Sequence, residues 1–139
     1  MSEPDAVARY QAMIDSAPFH QFLRMTVVEV DADEGRFVLD LPFAERYERM
    51  ADTGQIHGGP LACLIDIAGT FAVAAKLGHG VPTINLRIDY LRPAMNTSLR
   101  ATAIVRRAGR TVAVADIDVH DEQERLVATG RGAWGTSAG

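Results

Sequence analysis

The stretch QIHGGPLACLIDIAGTFAVAAKLG, Gln55 to Gly78, limits what this chain can become. From Gly59 to Leu77 it is apolar on nearly every side, so as a helix it offers no face to water and must lie centrally buried. Pro60 suits a first helical turn, where a missing N–H costs nothing, and the glycines of LGHG supply a stop. Asp66 is the one ionisable residue in the helix body before Lys76. A buried carboxylate is costly unless it is paired or used, which makes Asp66 the first candidate for chemistry.

After this helix the pattern changes to period two. PTINLRIDYLRP alternates Ile84, Leu86, Ile88 and Tyr90 against Thr83, Asn85, Arg87 and Asp89. SLRATAIVRRAG, RTVAVADIDVHD and ERLVATGRGAWG read as further strands, joined by the short turns AGR and DEQ, which make them antiparallel. Ahead of the long helix, Glu3 to Ser16 has the spacing of a short amphipathic helix ended by Pro18. MTVVEVDADEG and RFVLDLP read as a hairpin, and Phe43 to Gln55 as polar irregular chain with one helical turn. The expected fold is α+β: a curved antiparallel sheet of about six strands wrapped around the long helix. It is read as a single domain, 1–139, with 1–18 as an N-terminal helical segment. Such a sheet keeps two edges, and a second copy pairing edge to edge would remove one. A homo-oligomer, a dimer at least, is therefore expected.

Several function classes are disfavoured. A formal net charge of −4 argues against nucleic-acid binding. His20, His57, His79 and His120 are scattered, with none of the pair spacings of a zinc site, so no metal is expected. There is no phosphate-cradling glycine loop, nucleophile elbow or dinucleotide fingerprint, and no cofactor is expected. One cysteine, Cys63, permits no intramolecular disulfide and fits a reducing compartment. The N-terminus lacks a secretory pattern, and the apolar run from Pro60 to Ala75 reads as too short to span a bilayer comfortably. A cytoplasmic protein with no membrane partner is the expectation.

The HGG at the helix entrance should leave backbone N–H groups unpaired, with the positive end of the helix dipole behind them. Glycine lets a ligand approach such a backbone closely, and this suits a developing oxyanion. Thr70 lies four residues after Asp66 and shares its face. Gly58 and Asp66 are eight residues apart, about 12 Å along one helix, so no single carbonyl touches both. If they cooperate, the acid comes from a second, antiparallel helix, which a two-fold dimer supplies together with two equal sites. Blander readings stand beside these. Asp66 could cap a neighbouring loop, His57 could be a structural hydrogen-bonding residue, and Cys63 a small buried hydrophobe.

HGGPLACLID followed by PTINLRIDYLRPA resembles the hotdog-fold acyl-CoA thioesterases, in particular the phenylacetate-degradation and 4-hydroxybenzoyl-CoA branch, from about Phe19 onward. The resemblance implies thioester hydrolysis of an acyl-CoA by a dimer of dimers, with Asp66 as nucleophile or general base. It implies that the Gly58 N–H polarises the carbonyl with His57 beside it, that Gly59 meets the substrate, and that Thr70 and Thr83 are polar helpers. The turn RRAGR matches the segment that meets the CoA nucleotide, making Arg107, Gly109 and Arg110 substrate-binding candidates. One departure is Ala51, where related enzymes carry Asn or Gln; Asp52 or Gln55 are the nearest substitutes. Two alternatives remain: a non-catalytic acyl-CoA binding module, and a hotdog hydratase or dehydratase acting on enoyl thioesters.

Overall fold

The computed structural model describes residues 1–137; Ala138 and Gly139, the end of the expected domain, lie outside the described residues. In chain order it contains α1 (Glu3–Asp15), α2 (Pro18–Leu23), β1 (Thr26–Asp31) and β2 (Arg36–Leu41). A 3-10 turn (Glu45–Tyr47) leads to α3 (Gly58–Leu77), β3 (Thr83–Tyr90), β4 (Leu99–Ala108), β5 (Val112–His120) and β6 (Leu126–Gly135). The helix α2 was not expected. Pro18 does not merely end α1; it opens α2 in its first turn, and six residues are too few to show a helical period.

The sheet runs β1-β2-β4-β5-β6-β3, with every neighbouring pair antiparallel. Helix α3 packs against all six strands, burying Leu61, Leu64, Ile65, Ala68 and Ala72 among others. It ends at Gly78, whose φ of 82° is a conformation glycine adopts without strain. By length and composition α3 could cross a membrane, contrary to the shorter run read from sequence, yet most of it is buried as the core helix. Contact between helix and sheet is close where β6 carries glycine. A Cβ on Gly130 would sit 2.8 Å from Ile65, and one on either Gly132 or Gly69 only 2.5 Å from the Trp134 ring. Gly69 and Gly132 make the slot in which the fully buried indole lies.

The strand β3 is not a plain two-residue alternation. Thr83 pairs with Trp134 and Asn85 with Ala133, so Ile84 is an extra residue, a bulge. Beyond it Leu86 and Ile88 pair with the inward-facing Gly132 and Gly130. The alternation read from sequence would turn Thr83 to the opposite face from these residues. The bulge reverses that, and Ile84 is left 55% exposed.

The two sheet edges are finished differently. At the start of β1, the side-chain amide of Gln11 on α1 donates to the Met25 carbonyl at 3.0 Å and accepts from the Val27 N–H at 2.6 Å. Along β3, among the described residues, nothing bonds to the outer edge of the main chain. Ile84, Tyr90 and Leu91 stand exposed there.

Candidate functional site

Asp66 is half-buried, not buried as its apolar neighbours suggested. Its Oδ1 accepts the Thr83 hydroxyl at 2.8 Å and lies 3.5 Å from the Thr70 hydroxyl. The two threonine oxygens are 3.4 Å apart. Helical spacing brings Thr70 beside the acid; the β3 bulge brings Thr83. A fourth residue joins them that the sequence reading missed: the Trp134 indole N–H donates to the Thr70 hydroxyl oxygen at 2.9 Å. Its signal was there to use, since a lone tryptophan in TGRGAWG follows glycines at two and four positions back on the same strand face.

The helix entrance differs from expectation at Gly59. Its N–H donates to His57 Nδ1 at 2.8 Å, so His57 is the side-chain N-cap of α3 and Gly59's donor is spent. Accepting that bond requires an unprotonated Nδ1, which puts the proton of a neutral ring on Nε2. Pro60 has no N–H to give. Gly58 is thus left as the entrance donor without a partner among the described residues. Its carbonyl accepts the Tyr90 hydroxyl at 2.9 Å, a second contact the sequence did not reveal. A Cβ at position 58 would press on the Tyr90 ring at 3.3 Å. The loop behind is held by bonds from the His57 N–H to the Tyr47 carbonyl and from the Ile56 N–H to the Ala94 carbonyl.

A cleft of about 350 Å³ opens beside Gly58, lined by Gln55, Leu61, Tyr90, Leu91 and others. Gln55, one of the two residues considered in place of an amide at position 51, therefore reaches this cleft; Asp52 is not part of its lining. A larger concavity of about 670 Å³ lies at the far ends of β2, β4 and β5. Two of its carboxylates are already engaged, Asp40 by Arg100 and Asp121 by Arg125, and its other two, Glu122 and Glu124, are exposed at the β5–β6 turn. Cys63 is half-buried, and burial together with the Asp66 charge pushes its thiol up, away from the reactive thiolate.

Arg107, Gly109 and Arg110 sit at the β4–β5 hairpin, apart from Asp66. The register Thr83–Trp134–Ala113–Ala108 places this hairpin at the same end of the sheet, three strand spacings, about 14 Å, from Thr83. The Gly109 N–H donates to the Val112 carbonyl and is spent in the turn, leaving Arg107 and Arg110 as the exposed groups.

Residues 53–128 match the family model described as the thioesterase superfamily. A Halobacterium salinarum protein named as a candidate esterase is 38% identical over 94% of this chain and 91% of its own. The Escherichia coli medium/long-chain acyl-CoA thioesterase YigI is 31% identical over 81% of each chain. Among solved structures, the E. coli PaaI protein from the phenylacetic acid degradation operon superposes with a TM-score of 0.83, at 28% identity over 95% of this chain and 93% of that one.

Proposed function

This chain belongs to the thioesterase superfamily, with the hotdog fold and as a thioester hydrolase, and on that premise we propose that it cleaves acyl-CoA to free acid and CoA with Asp66 as its working carboxylate. The observation that carries this is the setting of Asp66: a carboxylate on a half-exposed helix face, steadied on one oxygen by hydroxyls from two different elements. The Gly58 N–H, the unspent donor at the α3 entrance, serves as oxyanion donor, with the helix dipole behind it. Tyr90 holds the Gly58 peptide and His57 caps the helix beside it.

Within one protomer the two functions are about 12 Å apart along α3. In this reading, therefore, the carboxylate that serves one Gly58 comes from a second copy, and the bare β3 edge is where that copy pairs. A dimer of dimers in the cytoplasm completes the reading, and the single unpaired thiol suits a reducing compartment. Asp66 takes a proton from a water that attacks the carbonyl carbon, or attacks that carbon itself. The second course gives an acyl-aspartyl anhydride, which water then hydrolyses to the free acid with return of the carboxylate. The carbonyl oxygen's charge falls on the Gly58 N–H, and collapse expels the CoA thiolate. A thiol of pKa about 8.5 leaves without a strong general acid, so the reaction asks for none. Arg107 and Arg110, exposed at the β4–β5 tip, would meet the phosphates of CoA.

The test is release of free thiol from a panel of acetyl-, decanoyl- and benzoyl-CoA, by wild type and Asp66→Asn. Turnover by wild type and its loss in a folded Asp66→Asn protein support the reading. Undiminished turnover by Asp66→Asn overturns it. Ala51, exposed and without an amide, favours one second reading, a module that binds acyl-CoA without turnover. Calorimetric binding with a silent thiol assay would decide for it.

A further inference from the structure

We infer that Trp134 is a positioning residue for the reaction: it heads a one-way chain of donors that loads one oxygen of Asp66 and leaves the other free for chemistry. The inference rests on the role proposed for Asp66. The indole N–H is a donor with no acceptor on the same atom, and it reaches the Thr70 oxygen at 2.9 Å. Thr70 therefore accepts from Trp134 and must send its own proton onward. The acceptors in reach are Thr83 Oγ1 at 3.4 Å and Asp66 Oδ1 at 3.5 Å. Thr83 in turn donates to the same Oδ1 at 2.8 Å. A carboxylate only accepts, so every hydroxyl proton in the chain runs towards Oδ1. Asp66 Oδ2 has no donor among the described residues and stays available to a water or a carbonyl carbon.

The head of the chain cannot turn away. The indole is fully buried, and its ring fills the space left by two glycines, Gly69 on α3 and Gly132 on β6. Held there, the Thr70 oxygen lies towards Thr83 and Asp66 and makes no bond to the carbonyl one turn earlier, the bond helical threonines often make. Donors arranged in series polarise one another, so the indole strengthens the hold on Asp66 without touching it. A buried indole N–H would seek a partner in any protein, and the test has to separate that need from a role in turnover.

It uses full-length Trp134→Phe, Thr70→Val, Thr70→Ser and the Trp134→Phe/Thr70→Val double variant, with the acyl-CoA of the panel that wild type hydrolyses fastest. The readouts are kcat, KM, the pH profile of kcat and thermal melting. Trp134→Phe should lower kcat about five- to tenfold with KM within about twofold. The acid limb of the profile should move to higher pH, because fewer hydrogen bonds favour the charged carboxylate. Thr70→Val should lose at least as much, Thr70→Ser should recover most of it, and adding Trp134→Phe to Thr70→Val should cost no further activity. Lower melting of Trp134→Phe with kcat and pH profile unchanged overturns the inference, as do losses that multiply in the double variant. If Trp134→Phe does not fold, the threonine pair decides: a wild-type profile for Thr70→Val overturns it. An inert Asp66→Asn beside unaffected Trp134 and Thr70 variants overturns this inference alone, whereas an active Asp66→Asn removes the reading beneath it.

Discussion

The two edges of the sheet present the same physical problem and solve it in opposite ways. At β1 the chain closes its own edge: α1 lies alongside, and Gln11 makes the two bonds a neighbouring strand would have made. At β3 the outer main chain has no partner among the described residues, with Ile84, Tyr90 and Leu91 exposed beside it. An open apolar edge invites pairing, and a sequence that blocks one edge with a specific side chain could have blocked both. The open edge is also the one that carries Thr83 to Asp66 and Tyr90 to Gly58. The β1 edge therefore serves stability, while the β3 edge carries the proposed chemistry and the surface proposed to receive a second copy.

Four changes break or sharpen this contrast. The largest effect is expected at the site beside the β3 edge: Asp66→Asn should lower kcat about 10³-fold, with a melting curve close to wild type. Thiol release by that variant at the wild-type rate would leave the β3 side with no special claim. Next, Ile84→Lys puts a charge on the open edge, a device that discourages strand pairing. It should shift the protein to monomer in sedimentation and lower kcat/KM about 100-fold in step. A monomer that keeps full activity would refute a shared site.

Gln11→Ala, the matching change at the closed edge, removes two bonds to main chain. It should cost about 1–2 kcal/mol in denaturant unfolding while leaving kcat within about twofold; a large loss of kcat would erase the division between edges. The smallest effect lies on the outer face, between the edges. There the Arg131 guanidinium, against the opposing effect of burial and with help from Arg106, pulls Asp116 from its ordinary 3.8 to about 2. Stability from this group is fully present above the unfolded value and is lost as pH falls from about 4 to about 2. Asp116→Asn should remove about 1 kcal/mol at neutral pH, allowing for solvent screening, and should flatten that acid limb without touching kcat.

Legibility followed distance along the chain. Asp66 and Thr70 could be paired from helical spacing alone, because 3.6 residues per turn puts them on one face whatever surrounds them. The succession of helices and strands along the chain and the sheet around α3 were likewise readable from periodicity, and the helix stop near Gly78 from the glycines of LGHG. Thr83 was reachable only through resemblance, and the alternation of β3 argued against it. One inserted residue, Ile84, turned it back to the helix. Gly59 looked like a free donor because its partner, the His57 ring, depends on a side-chain torsion that spacing does not report. Pro18 looked like a stop because α2 is too short to carry a period.

By itself the sequence determined which segment must be central and that the later chain must be sheet, because an all-apolar helix and a two-residue alternation each have one stable environment. It also determined that one acid would lie on that helix. That Thr83 joins Thr70 at the acid, which N–H at the entrance stays unspent and which edge stays open were decided by the folded structure. The entrance donor turns on the torsion of one ring, and the others depend on groups distant in sequence, such as Thr83 and Asp66 or Gln11 and Val27, whose meeting is set by bulges and helix placement that only the packed chain defines.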